Sequence, residues 1–190
     1  MKNHLALIIS RIAHPISLIL VFMAYTFFSI HSLWKATWTL TVITAIGIIP
    51  LVIWNQSRTK KGIYTNFDVS VRKDRYSMFT LLTVLTLLVI LFIWTSNQPW
   101  PVFAGSLVLL LLVVTSFVLN FWLKVSLHMA VAFYVSLGLW QIHPLPALLL
   151  LMAIPFIAWS RIQLERHKTN ELLIGGMVGL LCGVLLLWVT

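Results

Sequence analysis

The sequence predicts an all-α protein, a polytopic helical membrane bundle of about six or seven transmembrane helices. Three observations predict it. Hydrophobic residues fill 61% of the 190 positions and charged residues only 9%, against roughly 25% charged in a soluble domain. That leaves too little polar surface to cover a water-soluble globule. Apolar stretches approaching the ~20 residues that a bilayer core requires recur along the whole chain. The basic residues fall almost entirely on one side of the implied membrane. The length suits one integral membrane domain, residues 1–190, with no separate soluble domain.

The elements follow in order. Residues 1–11 carry Lys2 and an apolar stretch. No small-residue cleavage site follows, and the apolar run continues past Pro15, so the segment is expected to remain uncleaved as a short interfacial helix. Spans are expected at 12–33, 37–54, 78–95, 101–122, 125–141, 144–159 and 172–189. "TSNQPWP" at 95–101 separates the third from the fourth, and "QIHPLP" at 141–146 the fifth from the sixth, because proline and polar turn formers end helices. Trp34, Trp38, Trp54, Trp94, Trp100, Trp122, Trp140 and Trp159 fall near span ends, as an aromatic belt requires. Two polar loops remain, 55–77 and 160–171. The single cysteine, Cys182, excludes an intramolecular disulfide. Gly175, Gly179 and Gly183 recur every four residues and offer a close-contact face, within the bundle by preference or in a homodimer.

Seven spans put the N-terminus, loop 55–77, the 122–125 turn and loop 160–171 on one side. That side holds Lys2, Arg11, Arg58, Lys60, Lys61, Arg72, Lys73, Arg75, Lys124, Arg161, Arg166 and Lys168, and the other holds Lys35. The positive-inside rule makes the basic side cytoplasmic, in the cell (inner) membrane. The acids Asp68, Asp74, Glu165 and Glu171 lie there too, and the net charge of +9 is concentrated there. Anionic membrane lipids are expected partners, each nearby cation being worth about 1 kcal/mol. Nucleic acid is not, since no soluble basic domain or stripe exists.

Three groups on the basic side could carry chemistry. Ser160, Arg161, His167 and Glu171 form the pattern S-R-x5-H-x3-E between the last two spans. With His167 already in the helical turn, it and Glu171 form an i, i+4 pair, in which a carboxylate orients the imidazole as an activated nucleophile requires. Arg161 offers a bidentate fork to an anionic oxygen pair. In "KVSLHMA", His128 sits one turn inside a span, a position usually reserved for function. Lys124 is expected on the same helix face, with Ser126 between them. In "NFDVSVRKDRY", Arg72, Lys73 and Arg75 cluster before the third span, with Asp68 spaced to pair with Arg72. Two histidines, an orienting carboxylate and several cations make the inventory for attack on a phosphoryl group. No metal or other cofactor is required. The plainer readings are a basic loop beside lipid headgroups for the first group, a histidine hydrogen-bonded to a neighbouring helix for the second, and a stop-transfer charge cluster for the third.

These motifs resemble those of the type 2 phosphatidic acid phosphatase superfamily, K-x6-R-P, then P-S-G-H, then S-R-x5-H-x3-D. The third is present at Ser160, Arg161 and His167, with Glu171 in place of the Asp. The second keeps Ser126 and His128, with Val125 and Leu127 in the Pro and Gly positions. In the first, Arg75 stands for the Arg, Tyr76 replaces the Pro and Asp68 occupies the Lys position, with Lys73 or Arg72 as alternative sources of the charge. The resemblance implies a phosphatase-like core over 68–190, preceded by N-terminal helices and a loop over 1–67. It implies a lipid phosphatase acting on phosphatidate, phosphatidylglycerophosphate or polyprenyl diphosphate. His167 would be the nucleophile, His128 the acid to the leaving group and Glu171 the orienting group. Arg161, Arg75, Ser126, Lys73 and Arg72 would bind substrate. The alternatives are a non-catalytic relative that binds or moves phospholipids or polyprenyl phosphates, and a metal-dependent phosphotransferase using Asp68 and Asp74.

Overall fold

The computed structural model describes residues 2–190, and among them the regular structure is helical throughout. The helices are α1 (Lys2–Ile12), α2 (Pro15–Ile30), α3 (Leu33–Ile43), α4 (Ile49–Lys60), α5 (Arg75–Thr95), α6 (Trp100–Leu119), α7 (Leu127–Ile142), α8 (Pro144–Gln163) and α9 (Thr169–Val189). A π-helical turn at Thr44–Ile48 joins α3 to α4, making one continuous rod from Leu33 to Lys60. Pro50, in the first turn of α4, has no N–H for the carbonyl one turn back and its ring crowds that carbonyl. The widened turn accommodates it.

Among the described residues five helices, with α3 and α4 counted as one rod, are long and apolar enough to cross a membrane, and a sixth span results if α1 and α2, bent by 42° at Ala13–His14, count as one. Leu88, Leu91, Met152, Phe156 and Leu181 are exposed on these rods, as surfaces facing lipid would be. The expected fifth span is the exception. α7 has 16 residues, about 24 Å of helix, and it is buried instead of lipid-facing. Ala130, Ala132, Tyr134, Val135 and Ser136 are all at or below 2% exposure, and α7 packs on α9, α8 and α2. It is the hub of the bundle.

The glycines of α9 make that packing close. Gly175 and Gly179 are buried against the backbones of Ser126 and Ala130, and Gly183 against Leu137. A Cβ at Gly179 would lie 2.7 Å from the Ala130 carbonyl carbon. The glycine face is therefore covered by α7 of the same chain and is not open to a second copy.

Both polar loops are shorter than expected. Helix α4 continues through 55–60, which leaves 61–74 as the loop, and 164–168 replaces 160–171. Loop 61–74 is fastened to the bundle. Tyr64 and Val69 are buried with Leu51, Met78 and Phe79, and the Tyr64 hydroxyl bonds Trp54 Nε1 (3.1 Å) and Ser77 Oγ (2.6 Å).

Candidate functional site

The end of α8 sets the first half of the site. Glu165 takes a left-handed backbone (φ 54°), and the N–H groups of Glu165 and Arg166 return to the carbonyls of Ile162 (2.9 Å) and Arg161 (3.0 Å). That is a Schellman-type stop. It reverses the chain within five residues, so that Arg161 on α8 and His167 before α9 meet. His167 precedes the N-cap, Lys168, so its pairing with Glu171 does not run along a helical face as expected. Glu171, the third residue of α9, reaches back instead. Its Oε2 accepts from His167 Nδ1 (2.8 Å) and from the Lys168 backbone N–H (3.3 Å). A carboxylate can only accept, which places the proton on Nδ1 and leaves the Nε2 lone pair to the cavity that the ring lines. Burial, then the charges of Lys124, Arg161 and Arg75, push the His167 pKa down to about 2. The imidazole is neutral, which is the nucleophilic form.

Arg161 is the centre of the second half. It is 1% exposed. Its Nη1 donates to Asp68 Oδ2 (2.7 Å) and to Ser10 Oγ, and lies 3.4 Å from His128 Nε2. Asp68 therefore pairs with Arg161 across the bundle, not with Arg72 as expected. The other carboxylate oxygen, Oδ1, lies 3.5 Å from His14 Nε2. His14 Nδ1 accepts the Ile16 backbone N–H (3.2 Å) and caps α2, which puts the ring proton on Nε2, facing Asp68. The His14 and His128 rings meet edge to face at 5.3 Å. Burial raises the Asp68 pKa, but the His14 hydrogen bond and the Arg161 charge outweigh it and hold this carboxyl well below the usual range.

The remaining expected residues divide. Arg75 is buried, lines the cavity and donates to the Val125 carbonyl (2.7 Å), and its Nε has no partner. Ser126 is buried between α7 and α9, its N–H on the Glu171 carbonyl (3.2 Å) and its hydroxyl unpartnered. It does not line the cavity, so its place is in the α7–α9 contact. Arg72 and Lys73 are exposed. Arg72 donates to the Trp122 carbonyl (2.6 Å), and neither lines the cavity. Lys124 lies outside α7 and does not share a face with His128. It turns to Glu171 (3.5 Å) and to the carbonyls of Arg166 (2.6 Å) and Ser70 (3.1 Å).

Sequence reasoning missed His14, Ser10 and the role of Asp68. His14-Pro15 and His143-Pro144 look alike, and both histidines cap the helix that follows. No local signal separates them. Only the fold places Asp68 beside one of them.

His14, Asp68, Arg75, His128, Arg161 and His167 line one end of a cavity of about 160 Å³. Its other end is apolar, with Ile43, Gly47 and Leu85 on its wall. A second cavity of about 510 Å³ shares Ile19, Met23, Ile43, Val89, Ser106 and Leu109 with it, and reaches Gln141 and Thr190 at the far end of the bundle. Buried Arg75 and Arg161, with Lys124 beside them, outnumber the carboxylates Asp68 and Glu171. The chain matches no protein-family model, no curated protein and no solved structure.

Proposed function

We propose that the chain is a membrane lipid phosphatase that hydrolyses a lipid phosphate monoester or diphosphate through a phosphohistidine. The observation that carries this reading is the pairing of two buried imidazoles and a buried guanidinium with an apolar passage. Polar chemistry at one end and room for a hydrocarbon chain beyond it describe the two halves of an amphiphile. The third motif and His128 supply the same reading from sequence. Phosphatidate, phosphatidylglycerophosphate and polyprenyl diphosphate are the candidate substrates. The excess of cations on the site's side of the bundle favours a cytoplasmic-facing site in the cell membrane.

His167 Nε2 attacks phosphorus, and the P–O bond to the lipid breaks as the N–P bond forms. Glu171 steadies the imidazolium charge that develops. Arg161 and Arg75 hold the charge spread over the phosphoryl oxygens. The negative phosphate between Arg161 and the imidazoles favours protonated His128, which delivers its proton to the leaving oxygen. His128 then takes a proton from water as that water attacks the phosphohistidine and releases inorganic phosphate. His167→Ala should lower phosphate release from all three lipids by about 10³-fold or more. Undiminished turnover would end the mechanism, and tight lipid-phosphate binding without turnover in the wild type would mark a binding protein in place of an enzyme.

A further inference from the structure

Asp68 stands where a phosphate site would hold its ligand. Its carboxylate is on the buried Arg161 at 2.7 Å and within reach of His14 at 3.5 Å, at the polar end of the cavity that His128 and His167 also line. We infer that Asp68 is a specificity-determining residue. Its carboxylate fills the anion position on Arg161 and yields only to a dianionic phosphate, so the site admits phosphate monoesters and terminal phosphates and refuses the monoanionic phosphodiesters of the surrounding bilayer. This rests on the reading of the site as a phosphate site.

The loop holds Asp68 there deliberately. Val69, the next residue, is buried with φ 49°, a left-handed backbone that a β-branched residue rarely accepts. It persists because the flanks are pinned. Asn55 Nδ2 donates to the Phe67 carbonyl (3.4 Å), Ser70 Oγ to Asn66 Oδ1 (3.0 Å), Arg166 Nη1 to Ser70 Oγ (3.0 Å) and Lys124 Nζ to the Ser70 carbonyl (3.1 Å). The backbone is fixed, but the side chain has somewhere to go. Asp68 also borders a separate cavity of about 440 Å³, which Arg11, Asn66 and Arg166 line, and rotation towards it leaves Arg161 free.

Charge then sets the selection. A phosphodiester brings one negative charge and replaces one, so the exchange gains no attraction and forfeits the contact with His14. A phosphate monoester brings about −1.5 to −2 at neutral pH, and the added charge faces Arg161 and Arg75.

The test uses the full chain purified in detergent and measures the affinity of inorganic phosphate and of dimethyl phosphate at pH 8 by titration calorimetry. Wild type should prefer inorganic phosphate. In Asp68→Asn, dimethyl phosphate should bind at least about tenfold tighter and the preference should fall by a similar factor, while Asp68→Glu keeps the wild-type ratio. An unchanged ratio in Asp68→Asn, or weaker binding of both anions, would overturn the inference and leave the carboxylate as a support for Arg161. Failure of inorganic phosphate to bind both wild type and variant would remove the phosphate reading and this inference with it. Should Asp68→Asn not fold, His14→Gln releases one carboxylate oxygen and should tighten dimethyl phosphate by about threefold. No change there counts against the inference equally.

Discussion

Gly179→Ala tests whether the α7–α9 contact sets the site. The new Cβ would fall 2.7 Å from both the carbonyl carbon and the Cα of Ala130, and closer still to the carbonyl oxygen. Backbone cannot swing aside as a flexible side chain can. Ordinary van der Waals contact begins near 3.4 Å, so the helices must part by at least 3.4 − 2.7, about 0.7 Å. Overpacking of this kind costs about 1–3 kcal/mol. The displacement has a functional consequence, because α7 carries His128 and α9 carries Glu171, which orients His167. Misplacement on this scale should lower turnover by about tenfold to a hundredfold. Thermal unfolding in detergent, followed by phosphate release from a lipid phosphate, measures both effects. Gly62→Ala is an unsuitable control because Gly62 has φ 70°, whereas Gly105 meets only the ends of Leu186 and Tyr134, so Gly105→Ala should be milder in both assays. A Gly179→Ala protein with wild-type stability and turnover would refute the claim that this contact positions the site.

Glu171→Gln should lower turnover by about 10³-fold, because an amide turned towards Nδ1 transfers the ring proton to Nε2 and blocks the nucleophile, and steady-state phosphate release would register it. His167, whose pKa falls from 6.5 to about 2 on folding, gives stability a defined pH dependence. The unfolded chain binds a proton below 6.5 that the folded chain refuses, so this contribution is level above that pH and declines as pH falls towards 2. Asp68 has the same sign of dependence and acts lower. Its depressed pKa contributes stability above its ordinary 3.8, which is lost as pH falls below it. Unfolding midpoints between pH 7.5 and 5 should therefore fall in wild type and flatten in His167→Gln. Glu165→Gly should raise stability by about 0.5–1 kcal/mol, since glycine takes the left-handed stop of α8 without the Cβ penalty, and the unfolding midpoint would show it.

The helical fold was legible because it follows from composition and apolar run length, properties that do not depend on tertiary contacts. The exception is informative. "LHMAVAFYVSLGLWQI" is as apolar as its neighbours, but small residues at Ala130, Ala132 and Gly138 let helices close around it, and a short buried helix results where a full-length span was expected. The third motif was legible because its spacing is local. Arg161, His167 and Glu171 meet through one reversal of chain. The Asp68–Arg161–His14 group was not legible, because its members come from three distant segments and each has an ordinary local explanation. Asp68 is spaced in sequence to pair with Arg72, and His14 is one of two histidines that precede a proline and cap a helix.

The central claim is a covalent phosphate on His167, and trapping it is the most direct measurement. Purified wild-type protein, mixed with a ³²P-labelled lipid phosphate and quenched in alkali within the first turnover, is digested and its peptides analysed by mass spectrometry. The label should survive alkali, be lost in mild acid, map to residue 167 and be absent in His167→Ala. Phosphate release by wild type with no label at residue 167 under any quench, or label retained in His167→Ala, would contradict the claim.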